Sequence, residues 1–218
     1  MWRASRVLVV VLLAAAASAR AAEDCITIEN FAADAVGAFP AGWRVRKDSA
    51  KPGYTVLREG PLHFLRAHAE NLGMQAAKEK TWDLDAYPVL AWSWRPRVFP
   101  SGANEQSGKN DSVLAVYLLV PYSRIVGPKA VKYVWSGTVP VGTRLSSNAG
   151  NTQVRVLRSS ATPVATWTAE RVNVRDDYRA YFEVKESPKP AGIAVLTDSD
   201  DTASVAEGDY ADFRACRN

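Results

Sequence analysis

Short alternating runs dominate the chain. Leu90, Trp92 and Trp94 share one side of a two-residue period, and Ala91, Ser93 and Arg95 share the other. That alternation marks a half-buried strand. Runs at 26–31, 54–58, 62–68, 72–77, 131–135, 152–157, 164–174, 192–197 and 210–215 predict further strands. The 113–120 run is nearly all apolar, which suits a central strand covered on both faces. Gly60-Pro61 separates two of these runs and predicts a hairpin. The best helix signal is 175–182, where Asp176 and Asp177 suit a helix N-terminus. Three polar connections, 100–112, 121–130 and 136–151, are long enough to carry binding. Many short strands, frequent Gly/Pro/Asn punctuation and little helix predict an all-β fold. The architecture expected is an antiparallel, jelly-roll-like β-sandwich with one short helix, formed by residues 22–218 as a single domain.

The N-terminus changes the meaning of the charge. Residues 1–21 read as a secretory signal peptide: Arg3 and Arg6, an apolar stretch from Val7 to Ala17, then Ala19-Arg20-Ala21 as a cleavage site. The whole chain has 27 basic and 23 acidic side chains. Three of the bases lie in the signal, so the rest of the chain carries 24 against 23. That near-neutral balance removes the support for a nucleic-acid binder. No later apolar run approaches the roughly 18 residues of a membrane span. Ala22, Glu23 and Asp24 precede Cys25, which does not fit a lipobox. A periplasmic or secreted protein is the expectation. Its two cysteines, Cys25 and Cys216, stand near opposite ends, and in an oxidising compartment they read as a disulfide.

Candidate chemistry is sparse. There is no G-x-S-x-G, and none of the 13 glycines forms a G-x-G pair. His63 and His68, the only histidines, are five apart and so fall on opposite strand faces. Asp198, Asp200 and Asp201 cluster in one segment and offer hard oxygen ligands for Ca²⁺. The segment opens like an EF-hand loop, but Ala203 stands where that loop needs glycine, and strands flank it. The alternative is a solvated acidic turn. Tyr133 and Trp135, beside the 136–151 loop, are candidate stacking platforms for a sugar ring. Trp92 and Trp94 read as core. A carboxylate pair drawn from Asp111, Glu170, Asp177 and Asp198 is the alternative site, suited to glycoside hydrolysis.

Several segments resemble one bacterial family of unknown function, DUF3047. They are Leu90 to Arg95, Asn110-Asp111-Ser112, Tyr133 to Gly137 with Gly142-Thr143, Trp167 to Val174, Asp177-Tyr178-Arg179, Gly192 to Thr202, and Tyr210 to Phe213. The resemblance spans nearly all of the chain after residue 21. It departs at Asn110-Asp111, where Asp-Asp is expected, and at Phe182-Glu183, where Phe-Gly-Glu is expected. The resemblance implies a secreted sandwich similar in architecture to carbohydrate-binding and galactose-binding-like domains. The leading reading is a non-catalytic ligand-binding or cell-envelope accessory module with a glycan ligand. The alternatives are a carboxylate-dependent polysaccharide hydrolase and a structural interaction domain. An exposed aromatic shelf, two facing acids or a featureless sandwich would separate the three.

Overall fold

The computed structural model describes residues 24–160 and 164–217; the signal-peptide reading at 1–21 lies outside them. In the described residues two sheets pack face to face. The strands are β1 (Cys25–Glu29), β2 (Trp43–Val45), β3 (Tyr54–Glu59), β4 (Leu62–Glu70), β5 (Gly73–Glu79), β6 (Val89–Val98), β7 (Leu114–Ser123), β8 (Gly127–Ser136), β9 (Arg144–Ser147), β10 (Thr152–Ser159), β11 (Thr168–Asn173), β12 (Gly192–Asp198) and β13 (Val205–Cys216). A six-stranded sheet has the order β11-β6-β13-β4-β3, with β1 also paired to β13. A seven-stranded sheet has the order β2-β5-β12-β7-β8-β10-β9.

The β3–β4 hairpin forms as its Gly60-Pro61 turn predicts. The pairing departs from a fully antiparallel plan at one place, because β10 runs parallel to β8. The insertion that makes this crossover holds β9, so 136–151 is partly strand rather than loop. The 121–130 connection is also shorter than its polarity suggests: β7 and β8 run into it and leave only residues 124–126 between them.

One large core fills the space between the sheets. Its centre is aromatic. Trp92 and Trp94 meet edge to face at 5.3 Å, Trp92 lies 5.9 Å from Tyr133, and Trp94 lies 5.7 Å from Trp135. Such contacts add to plain area burial. The helix α1 (Val174–Phe182) packs against β8 and β6. Its start is capped by Asn173, whose Oδ1 accepts from the Asp176 N–H at 3.0 Å. The Cys25–Cys216 disulfide is present, and it joins directly opposed residues of β1 and β13.

Candidate functional site

The outer face of the seven-stranded sheet carries a groove. Ala115, Ala130 and Ala194 point outward from neighbouring strands and are covered by a small apolar cluster with Tyr117, Val139 and Val154. Larger polar groups stand beside it. A depression of about 390 Å³ is lined by Arg46, Glu105, Asn110, Tyr117, Lys132, Asn148, Thr152 and Asp198, among others. A second depression of about 410 Å³ shares Arg46, Tyr117, Asn148, Thr152 and Leu196 with it, so the two form one groove. A wider hollow of about 670 Å³ lies near the opposite end of β12, between the 81–85 and 187–189 segments. Its lining holds no buried charged side chain, so the groove is the better candidate.

Two charges in the groove are unusual. Lys132 is only 7% exposed, and its ammonium, which opens on the groove, makes no hydrogen bond or ion pair among the described residues. Its Nζ lies over the Tyr117 ring, 5.7 Å from the centroid. Burial lowers its pKa, while Asp198, Glu105 and Asp111 pull the other way. Asp198 is 8% exposed, and its Oδ1 has no hydrogen-bond partner. Burial pushes its carboxyl up to about 7; Asp200 and Asp111 add to the rise, and Lys132 opposes it. Glu105 is tied down, with Oε1 accepting from the Ser112 hydroxyl at 3.2 Å and Oε2 from the Ser136 hydroxyl at 2.6 Å.

The strand alternation puts Lys132 here. Val131, Tyr133 and Trp135 point inward, so the residue between the first two must point outward. For the same reason Tyr133 and Trp135 form no solvent-facing shelf. They are 0% and 3% exposed, inside the core. The Tyr133 hydroxyl donates to Asp177 at 2.9 Å, and the Trp135 Nε1–H donates to the Ser160 carbonyl at 3.1 Å.

Of the acids named from the sequence, Glu170 and Asp177 sit apart from the rest in ion pairs of their own. Glu170 accepts from Trp94 Nε1 at 3.0 Å and pairs with Arg158 at 2.6 Å. Asp177 pairs with Arg155 at 3.0 Å. Asp111 accepts from the backbone of Asp201 and Thr202. Only Asp198 reaches the groove, where Glu105 joins it. Asp200 and Asp201 lie just beyond its end, next to Asp111. Sequence reasoning missed Lys132 and Glu105. The signal for Lys132 was available, as a lone cation opposite a run of large apolar side chains. Glu105 sits in a loop, and no pattern placed it.

Known proteins resemble this chain at a distance. A carbohydrate-binding module specific for non-crystalline cellulose aligns over 81% of this chain and 89% of its own, at 9% identity and a TM-score of 0.45. A carbohydrate-binding module in complex with beta-1,4-galactotriose aligns over 87% and 99%, at 12% identity and a TM-score of 0.40. A family 12 glycoside hydrolase aligns over 90% and 97%, at 9% identity and a TM-score of 0.46. Among curated proteins, GDP-fucose protein O-fucosyltransferase 3 of Homo sapiens is 30% identical over 63 residues. That stretch is 29% of this chain and spans only 13% of the length of the transferase. The family comparison covers far more, matching residues 41–214. The chain therefore belongs to the family described as protein of unknown function, DUF3047.

Proposed function

We propose that the protein binds a glycan along the groove on the outer face of its seven-stranded sheet. The observation that carries this reading is Lys132. Its side chain is largely buried while its ammonium opens on the groove with no protein partner, and holding a cation in so dry a place costs stability. A ligand oxygen would supply the missing partner. The neighbouring groups suit a polyhydroxylated chain. Asn110, Asn148 and Thr152 offer donors and acceptors, Asp198 offers acceptors, and Tyr117, Leu196 and Ala130 give apolar contact. The disulfide supports residence in an oxidising compartment, periplasmic or extracellular.

The test is a glycan array followed by calorimetry with Lys132→Met. Retained, uncleaved glycan and a loss of affinity of at least tenfold in the variant are expected. Equal binding by the variant would remove the groove as the site. Release of reducing sugar would turn the reading into the hydrolase alternative. One observation favours that alternative: Asp198, with its raised pKa, shares the groove with Glu105.

A further inference from the structure

Beyond the groove, the junction of two loops gathers negative charge. The segment before β7 brings Asp111, and the turn between β12 and β13 brings Asp200 and Asp201. One carboxylate oxygen from each of these three lies within 4.8 Å of the others. Asp111 is buried; Asp200 and Asp201 are exposed. Three acids so close are commonplace on a surface and carry nothing alone.

The neighbouring Asp198 changes that. It is buried, and its Oδ1 has no hydrogen-bond partner. That atom faces the same space as Asp200. A Cβ built on Gly73 would stand 3.0 Å from Asp198 Oδ1 and 3.1 Å from Asp200 Oδ2. So two carboxylate oxygens from different residues flank one small gap, which the missing side chain of Gly73 leaves open. Hard divalent cations take six to eight oxygens, mixing carboxylates with water and backbone carbonyls. A bound cation would supply the orphan oxygen with its partner and offset the mutual repulsion of the four acids.

We propose that Asp198, Asp200, Asp201 and Asp111 form a calcium site that ties the 105–112 segment to the β12–β13 turn. Calcium suits it better than magnesium, because an irregular set of carboxylates from two loops does not impose the compact octahedron that magnesium demands. The site borders the groove and shares Asp198 with it, but calcium alone is its ligand, so calcium binding is read without any glycan.

Calorimetry of the chelator-stripped, full-length protein with calcium chloride tests this. One ion should bind, with a Kd in or below the range of about 10⁻⁴ to 10⁻³ M known for extracellular modules. Magnesium at the same concentration should bind at least tenfold more weakly. Asp200→Asn removes one exposed ligand and should weaken calcium tenfold or more. Gly73→Ala keeps every charge but crowds the gap, and it should also weaken calcium while leaving the far-ultraviolet circular dichroism unchanged. No binding heat and no shift of Tm in 10 mM calcium would overturn the proposal. So would wild-type affinity in Asp200→Asn, which would place any bound ion elsewhere.

Discussion

The two outer faces of the sandwich treat buried charge in opposite ways. On the six-stranded sheet, Asp209 is completely buried and fully compensated. Arg66 Nε reaches it at 2.8 Å and Arg95 at 2.6 Å, and Arg97 stands 3.7 Å away. Arg95 also grips Glu59 with two hydrogen bonds of 2.9 Å, and its guanidinium lies over the rings of Phe64 and Trp167. Glu207 takes Arg97 at 3.0 Å and His68 at 2.9 Å. Hydrogen bonds donated to Asp209 hold the Arg66 guanidinium above its usual pKa, and on Arg95 the pairings with Glu59 and Asp209 outweigh burial. On the seven-stranded sheet, Lys132 has no such partner and Asp198 keeps an orphan oxygen. A network closed on itself is structural. Charges left open within a groove are what the proposed glycan reading rests on.

The most damaging way to break this comparison is to open the closed network. Asp209→Ala leaves Arg66 and Arg95 without their buried carboxylate. A loss of about 3–5 kcal/mol in urea unfolding is expected, the cost of removing one partner of a buried ion pair. A loss below about 1 kcal/mol would mean that the two faces do not differ in kind. The same sheet is also stapled. Cys25→Ser with Cys216→Ser unties β1 from β13 and should cost about 2–4 kcal/mol, read as a lower urea midpoint.

The open face should respond with the opposite sign. Lys132→Met replaces a largely buried side chain, whose ammonium has no protein partner, by an apolar chain of similar length, and stability should rise by about 1–3 kcal/mol. Affinity for a glycan should fall at the same time. The pH dependence follows from the direction of the pKa shift. Burial holds the folded-state pKa of Lys132 below its unfolded value of about 10.4. Between those two values the unfolded chain binds more protons, so stability rises with pH there. The contribution penalises folding most fully below the folded-state pKa, and it vanishes above 10.4. Urea midpoints measured from pH 7 to 10 should climb less in Lys132→Met than in the wild type.

The same comparison explains what the chain displays before folding. Strands were legible wherever one face was buried, because period-two alternation records burial directly. Leu90, Trp92 and Trp94 lie inward, as their pattern says. The cysteine pair was legible because only two exist. The short edge strands β2 and β9 left no pattern, because three or four residues are too few to display a two-residue period. Tyr133 and Trp135 show the limit of a side-chain inventory. Their chemistry suits a sugar platform, yet their strand partner Val131 sets them facing the core. The groove itself is lined from strands and loops that are distant in sequence, and only the sheet order brings them together.

A third location sharpens the contrast with the smallest effect. Helix α1 ends at Glu183, whose backbone is left-handed with φ of 53°. Its N–H donates to the Arg179 carbonyl, as does that of Val184 at 3.1 Å. Glycine is the usual residue there, because a Cβ is strained in this conformation. This cost serves neither the closed network nor the groove. Glu183→Gly should therefore relieve the strain without touching function, raising stability by about 0.5–1 kcal/mol and leaving glycan affinity unchanged. Lys132→Met should also raise stability, but only by giving up binding. If Glu183→Gly lost affinity as well, strain at the helix end would be coupled to the groove, and added stability could not mark Lys132 as a residue kept for its ligand.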